Sequence, residues 1–143
     1  MDPARRVLTG HSLAGLFTLW TLLTRPQSFA AYVALSPSLW SEPELGAGIA
    51  SLTGCPARVF IGVGGWEEML PPWMQQQAGS EEIQARRQQR QMVAHARAFA
   101  QGLQQLENGP QTQFQLFPDE DHASVFGIGV SRAMRFVLPS QQP

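Results

Sequence analysis

The chain has 143 residues, 43% hydrophobic and 15% charged, with a net charge of −1. These values fit one soluble globular domain over residues 1–143 and exclude a disordered chain. They leave no electrostatic footprint for nucleic acid, an anionic membrane or an acidic partner.

In chain order, Arg6-Val7-Leu8-Thr9-Gly10 is a short β-rich run ending at glycine. Leu13 to Thr24 follows as a helix that is apolar nearly all round (Leu13, Leu16, Phe17, Leu19, Trp20, Leu22, Leu23). Such a helix is buried on both sides or expects a partner, and Pro26 stops it. Phe29 to Ser36 reads as a second strand, broken by Pro37 into the loop Pro37–Trp40. Arg58 to Val63 is a third, with the continuous apolar character of a buried parallel strand. Gly64 to about Ser80 is loop-like, and Glu81 to about Leu106 reads as one long helix. Its buried face is marked by Met92, Ala96, Phe99, Leu103 and Leu106. Arg86, Arg87, Arg90 and Arg97 fall on the other side, where a solvated face is the expectation. Gln113 to Phe117 alternates as a fourth strand, and a last helix spans about Ser124 to Leu138. This alternation predicts an α/β fold of about four mostly parallel strands with flanking helices.

Gly10-His11-Ser12-Leu13-Ala14-Gly15 joins the first strand to the first helix. A G-x-S-x-G turn there makes a nucleophile elbow, because the tight bend lifts the serine hydroxyl clear of the backbone. Ser12 is thus a candidate nucleophile; the competing reading is an ordinary serine N-cap. The helix start aims the Leu13 N–H at the place where an oxyanion forms. His11 points elsewhere in so tight a turn and reads as packing or backbone support rather than as the base.

His122 follows the last strand, at the same sheet edge as the elbow, and histidine is the natural general base near neutral pH. The chain order Ser…acid…His selects the strand ending Gly64-Gly65-Trp66-Glu67-Glu68 for the third group. Glu67 is the candidate orienter; Glu68, Asp119, Asp121 or a dyad without an acid stay open. All 10 basic residues are arginine, which removes lysine Schiff-base chemistry and lysine phosphate loops. Cys55 is the single cysteine, so no intrachain disulfide forms, and His11, His95 and His122 offer no metal-ligand spacing. No metal or cofactor is expected. No run approaches a membrane span, and Met1-Asp2-Pro3 opens no signal peptide; the compartment stays open.

Taken together, these stretches resemble the esterase family of the α/β-hydrolase superfamily that contains the siderophore trilactone esterases. The matching pieces are Asp2-Pro3-Ala4-Arg5-Arg6 leading into Gly10–Phe17, then Ala34-Leu35-Ser36-Pro37-Ser38-Leu39-Trp40, Val63-Gly64-Gly65-Trp66-Glu67 and Asp121-His122-Ala123-Ser124-Val125. The resemblance implies an α/β-hydrolase fold with Ser12 as nucleophile and His122 as base. It makes His11, Ser38, Leu39, Trp40 and Trp66 candidate contacts of a small-molecule ester. Trp40, Trp66 and Trp73 suit an aromatic or bulky ester, and core packing explains them equally well. Two departures stand out: Ala14 replaces the usual glycine, and Gly65 stands where many relatives carry an acid.

The family's sheet also has strands before the elbow, whereas this chain begins a few residues upstream of it. The expectation is therefore the C-terminal half of such a hydrolase, a partial fold lacking the N-terminal half of its sheet. Its first strand would then be an unpaired edge open to self-association. Three functions follow as alternatives. They are a serine ester hydrolase, a catalytically silent fragment or interaction module, and an acyltransferase of the same superfamily.

Overall fold

A computed structural model describes residues 5–138 of the chain. Asp2, Pro3 and Ala4, which enter the family resemblance, lie outside the described residues. Four extended runs pair into one sheet: β1 (Val7–His11), β2 (Ala31–Leu35), β3 (Arg58–Gly64) and β4 (Gln111–Phe117). Their order is β1-β2-β3-β4, and all three pairings are parallel. β2 is buried at every residue because it has a strand on each side and helices on both faces.

Strand side chains alternate between the two faces, and each face has its own core. Tyr32, Ala34, Val59, Ile61 and Val63 meet α1 (Leu13–Thr24) and α3 (Met92–Gln105) through Leu19, Leu22, Ala96, Phe99, Ala100 and Leu103. Ala31, Val33, Leu35, Phe60 and Phe117 face α4 (Val125–Val137), which contributes Val125, Ala133 and Val137. Since every strand runs the same way, the loops after His11, Leu35, Gly64 and Phe117 leave from one edge. Ligand sites of open parallel sheets form there.

Three features differ from the sequence expectation. The long helix Glu81–Leu106 is two helices, α2 (Ser80–Arg90) and α3, separated by Gln91 in the left-handed conformation at φ 45°, ψ 47°. α2 buries no side chain, whereas α3 buries Met92, Val93, Ala96, Phe99, Ala100 and Leu103. The break lets α3 pack against β3 and β4, while α2 stays off the core. Pro43–Leu52 forms 3₁₀ turns where no element was predicted. On α1, Leu13, Phe17 and Trp20 stay exposed, so only one side of this apolar helix is covered. Its buried Thr18 and Thr21 are satisfied by donating to the Ala14 and Phe17 carbonyls, each at 2.8 Å.

Glycine carries no steric penalty at positive φ, so Gln91→Gly should raise unfolding stability by about 0.5–1 kcal/mol. A urea melt checks this, and a loss of stability would show that the Gln91 side chain itself supports the break.

Candidate active site

The elbow is built by sterics. Ser12 sits at φ 59°, ψ −119°, a conformation that non-glycine residues rarely adopt and that costs of order 1–3 kcal/mol. The surrounding backbone fixes it there. Ser12 N–H donates to the Leu35 carbonyl at 2.9 Å, and Ser12 O accepts from Leu16 N–H at 3.0 Å and Ser38 N–H at 3.2 Å. A Cβ at Gly10 would stand 2.0 Å from the Ala14 carbonyl oxygen, so only glycine fits. At Gly15 a Cβ would approach the Leu35 carbonyl to 3.0 Å and Pro37 Cα to 3.1 Å. Ala14 is exposed, which explains why a methyl group is accepted at that position. Leu13 opens α1, and its N–H is among those without an intrahelical acceptor.

His122 lies against the elbow. Its Nε2 is 3.0 Å from Ser12 Oγ, and its Nδ1 is 2.6 Å from Glu67 Oε2. With Nδ1–H donating to the carboxylate, Nε2 keeps its lone pair toward the serine hydroxyl. Glu67 is 4% exposed, while the His122 side chain is 48% exposed. The other carboxylate oxygen, Oε1, accepts from Gly64 N–H at 2.9 Å and from the buried Ser36 hydroxyl. Ser38 Oγ stands 3.4 Å from Ser12 Oγ.

Close backbone packing positions these loops. A Cβ at Gly64 would lie 2.3 Å from the Glu120 carbonyl oxygen, and one at Gly65 2.5 Å from that of Pro118. Gly65 thus stands where a side chain would push the loop after β3 off the loop after β4. Trp66 N–H donates to Glu120 O at 3.1 Å, joining the same two loops. His11 backs His122: its Nε2 lies 2.6 Å from the His122 carbonyl, and the two rings are 4.6 Å apart. Asp121 shapes the turn under His122 by accepting from Ala123 N–H at 2.9 Å and Ser124 N–H at 2.8 Å. The Ser124 N–H, first among the causes, holds the Asp121 carboxyl below its ordinary value.

A cleft of about 280 Å³ opens over the serine, lined by Ser12, Ser38, Trp40, Trp66, Glu67 and His122 together with Arg87, Arg90 and Met92. His11 and Leu39 do not line it; His11 backs the base, and Leu39 is buried in the core beside α3. Among the other acids, Glu68 accepts from Ala94 N–H at 3.1 Å in the first turn of α3, and Asp119 is exposed. A larger cavity of about 640 Å³ lies under α2 and shares only Trp66 with the cleft. It contains none of the three grouped side chains, so size does not mark the site here.

Sequence reasoning did not place Ser36 on the Glu67 carboxylate, nor Arg87 and Arg90 in the cleft. A polar residue closing the buried run Ala31–Leu35 was the available signal for Ser36. None pointed to the arginines, since their placement follows from the unmarked break at Gln91.

The family model described as "Putative esterase" matches residues 1–115. The chain belongs to this esterase family. The match includes Ser12 and Glu67 and ends before His122. The ferri-bacillibactin esterase BesA of Bacillus subtilis is 31% identical over 100% of this chain and 46% of its own length. The siderophore triacetylfusarinine C esterase of Aspergillus fumigatus is also 31% identical, over 92% of this chain and 48% of its own. Among solved structures, the siderophore hydrolase EstA from Aspergillus nidulans aligns at TM-score 0.83 and 28% identity, covering 92% of this chain and 46% of that one. The chain spans about half the length of these relatives.

Two stability experiments test the loop packing. Gly64→Ala should destabilise the fold by about 1–3 kcal/mol, the usual cost of a side chain forced into occupied space. A melting curve unchanged from wild type would contradict the close approach. Asp121→Asn should destabilise at neutral pH, and the gap to wild type should close on acidification. The folded state favours the ionised carboxylate, so its contribution is present above the unfolded-state pKa and is lost as pH falls through the lowered folded value. A gap that persists in acid would rule the carboxylate out as its source.

Proposed function

We propose that the chain is the catalytic portion of a serine ester hydrolase that acts through an acyl-enzyme. One observation carries the reading: a single imidazole reaches Ser12 Oγ at 3.0 Å with one nitrogen and the buried Glu67 carboxylate at 2.6 Å with the other. In this mechanism Ser12 Oγ attacks the ester carbonyl carbon as His122 Nε2 takes its proton. Glu67 stabilises the imidazolium that forms, and the Leu13 N–H donates to the oxyanion. Collapse of the tetrahedral intermediate expels the alkoxide, which takes the proton from Nε2. Water then enters over the half-exposed His122, is deprotonated in turn, and releases the acid.

The substrate class we propose is a siderophore ester such as a trilactone. The names of the relatives support it, and Trp40 and Trp66 on the cleft wall suit a bulky or aromatic acyl group. A second reading is a module that keeps the site's shape without turnover.

A fluorophosphonate probe and 4-nitrophenyl butyrate separate the two. The hydrolase reading expects labelling and turnover in wild type, with both lost in Ser12→Ala. It also expects kcat to fall about 10²–10⁴-fold in Glu67→Gln, as when an orienting carboxylate is neutralised. Labelling without turnover would favour the silent module. Absence of both would end the hydrolase reading.

A further inference from the structure

Among the described residues, two side chains bond the Glu67 carboxylate: His122 on Oε2 and Ser36 on Oε1. Ser36 is fully buried, does not line the cleft and adopts φ 45°. Glycine takes that backbone freely, whereas serine is strained in it. The Ser36 N–H donates to the Gly62 carbonyl at 2.7 Å, a bond that needs no side chain. A hydroxyl held at a strained, buried position points to a task that the backbone alone does not perform.

That task is more than supplying a missing partner. Oε1 already accepts from Gly64 N–H at 2.9 Å and Oε2 from His122 Nδ1 at 2.6 Å, so each oxygen has a donor without Ser36. No cation other than His122 stands within 4.0 Å of the carboxylate among the described residues. A carboxylate held on Oε1 by one donor can pivot about that bond and carry Oε2 off the imidazole. A second donor from a different strand end fixes its plane. Ser36 follows β2 and Gly64 ends β3, two neighbouring strands whose register pairs Leu35 with Gly62.

We propose that Ser36 is a positioning residue for ester hydrolysis. Its hydroxyl fixes the plane of the Glu67 carboxylate, so that Oε2 stays on His122 Nδ1 while Nε2 exchanges a proton with Ser12. The effect on turnover rests on the hydrolase reading; the effect on the Glu67–His122 pair does not.

Two variants separate the hydroxyl from the strain. Ser36→Ala removes the hydroxyl and keeps the strain, whereas Ser36→Gly removes both. With 4-nitrophenyl butyrate, kcat should fall about tenfold in each, the size of one charge-assisted hydrogen bond, while KM stays unchanged. Thermal melts should rank Ser36→Gly above Ser36→Ala, so that activity does not follow stability. Wild-type kcat in Ser36→Gly, or a change in KM alone, would overturn the proposal. Loss of native circular dichroism in both variants would also overturn it, by making Ser36 a folding residue. If wild type turns over no ester, the hydrolase reading fails, and proton NMR of ¹⁵N-histidine-labelled protein judges the positioning. Solvent exchange that broadens the His122 Nδ1–H resonance at a lower temperature in Ser36→Gly than in wild type supports it. Equal persistence in the two proteins refutes it.

Discussion

The buried Glu67 carboxylate is the constraint on which the site depends. Taking an ionised carboxylate out of water costs several kcal/mol unless donors replace the lost hydration. Here the donors come from three strand ends: the Ser36 hydroxyl after β2, the Gly64 N–H at the end of β3 and the His122 ring after β4. Satisfying one charge therefore ties three loops together. The imidazole inherits its orientation from that arrangement, and Ser12 lies within its reach. Ser36 adopts φ 45°, a strained value that is tolerated where its hydroxyl meets this demand.

Close backbone approach does the rest of the positioning. Gly10 and Gly15 let α1 pack against β1 and the loop after β2, and Gly64 and Gly65 let the two later loops touch. Side chains at these positions would separate the elements that bring His122 within 3.0 Å of Ser12 and 2.6 Å of Glu67. The strain at Ser12 is contained by three backbone hydrogen bonds, which hold the residue in place.

Much of this was legible in the sequence because it follows from periodicity and topology. Alternating strands and helices imply parallel strands, and parallel strands bring the loops at residues 12, 67 and 122 to one edge. The sequence made Glu67 the candidate orienter but left Glu68 open, because adjacent glutamates are chemically alike. The 3₁₀ turn Gly65–Glu67 turns the first inward to His122 and leaves the second to α3. The arginine wall was hidden for a similar reason. Gln91 carries no glycine or proline signal, yet its left-handed backbone separates α2 from α3, and Arg87 and Arg90 line the cleft, Arg90 while remaining exposed. On the outer face of α1, of the two outcomes its apolar pattern allowed, burial on both sides does not occur, and Phe17 and Trp20 stay exposed and stacked 5.8 Å apart.

The central claim is that Glu67 and His122 share a proton on Nδ1 and so leave Nε2 to act on Ser12. Proton NMR of the ¹⁵N-histidine-labelled protein tests this most directly. The account predicts a strongly deshielded imidazole N–H resonance, present in wild type, absent from His122→Gln and moved upfield in Glu67→Gln. A spectrum lacking that resonance, or one that Glu67→Gln leaves unchanged, would contradict it.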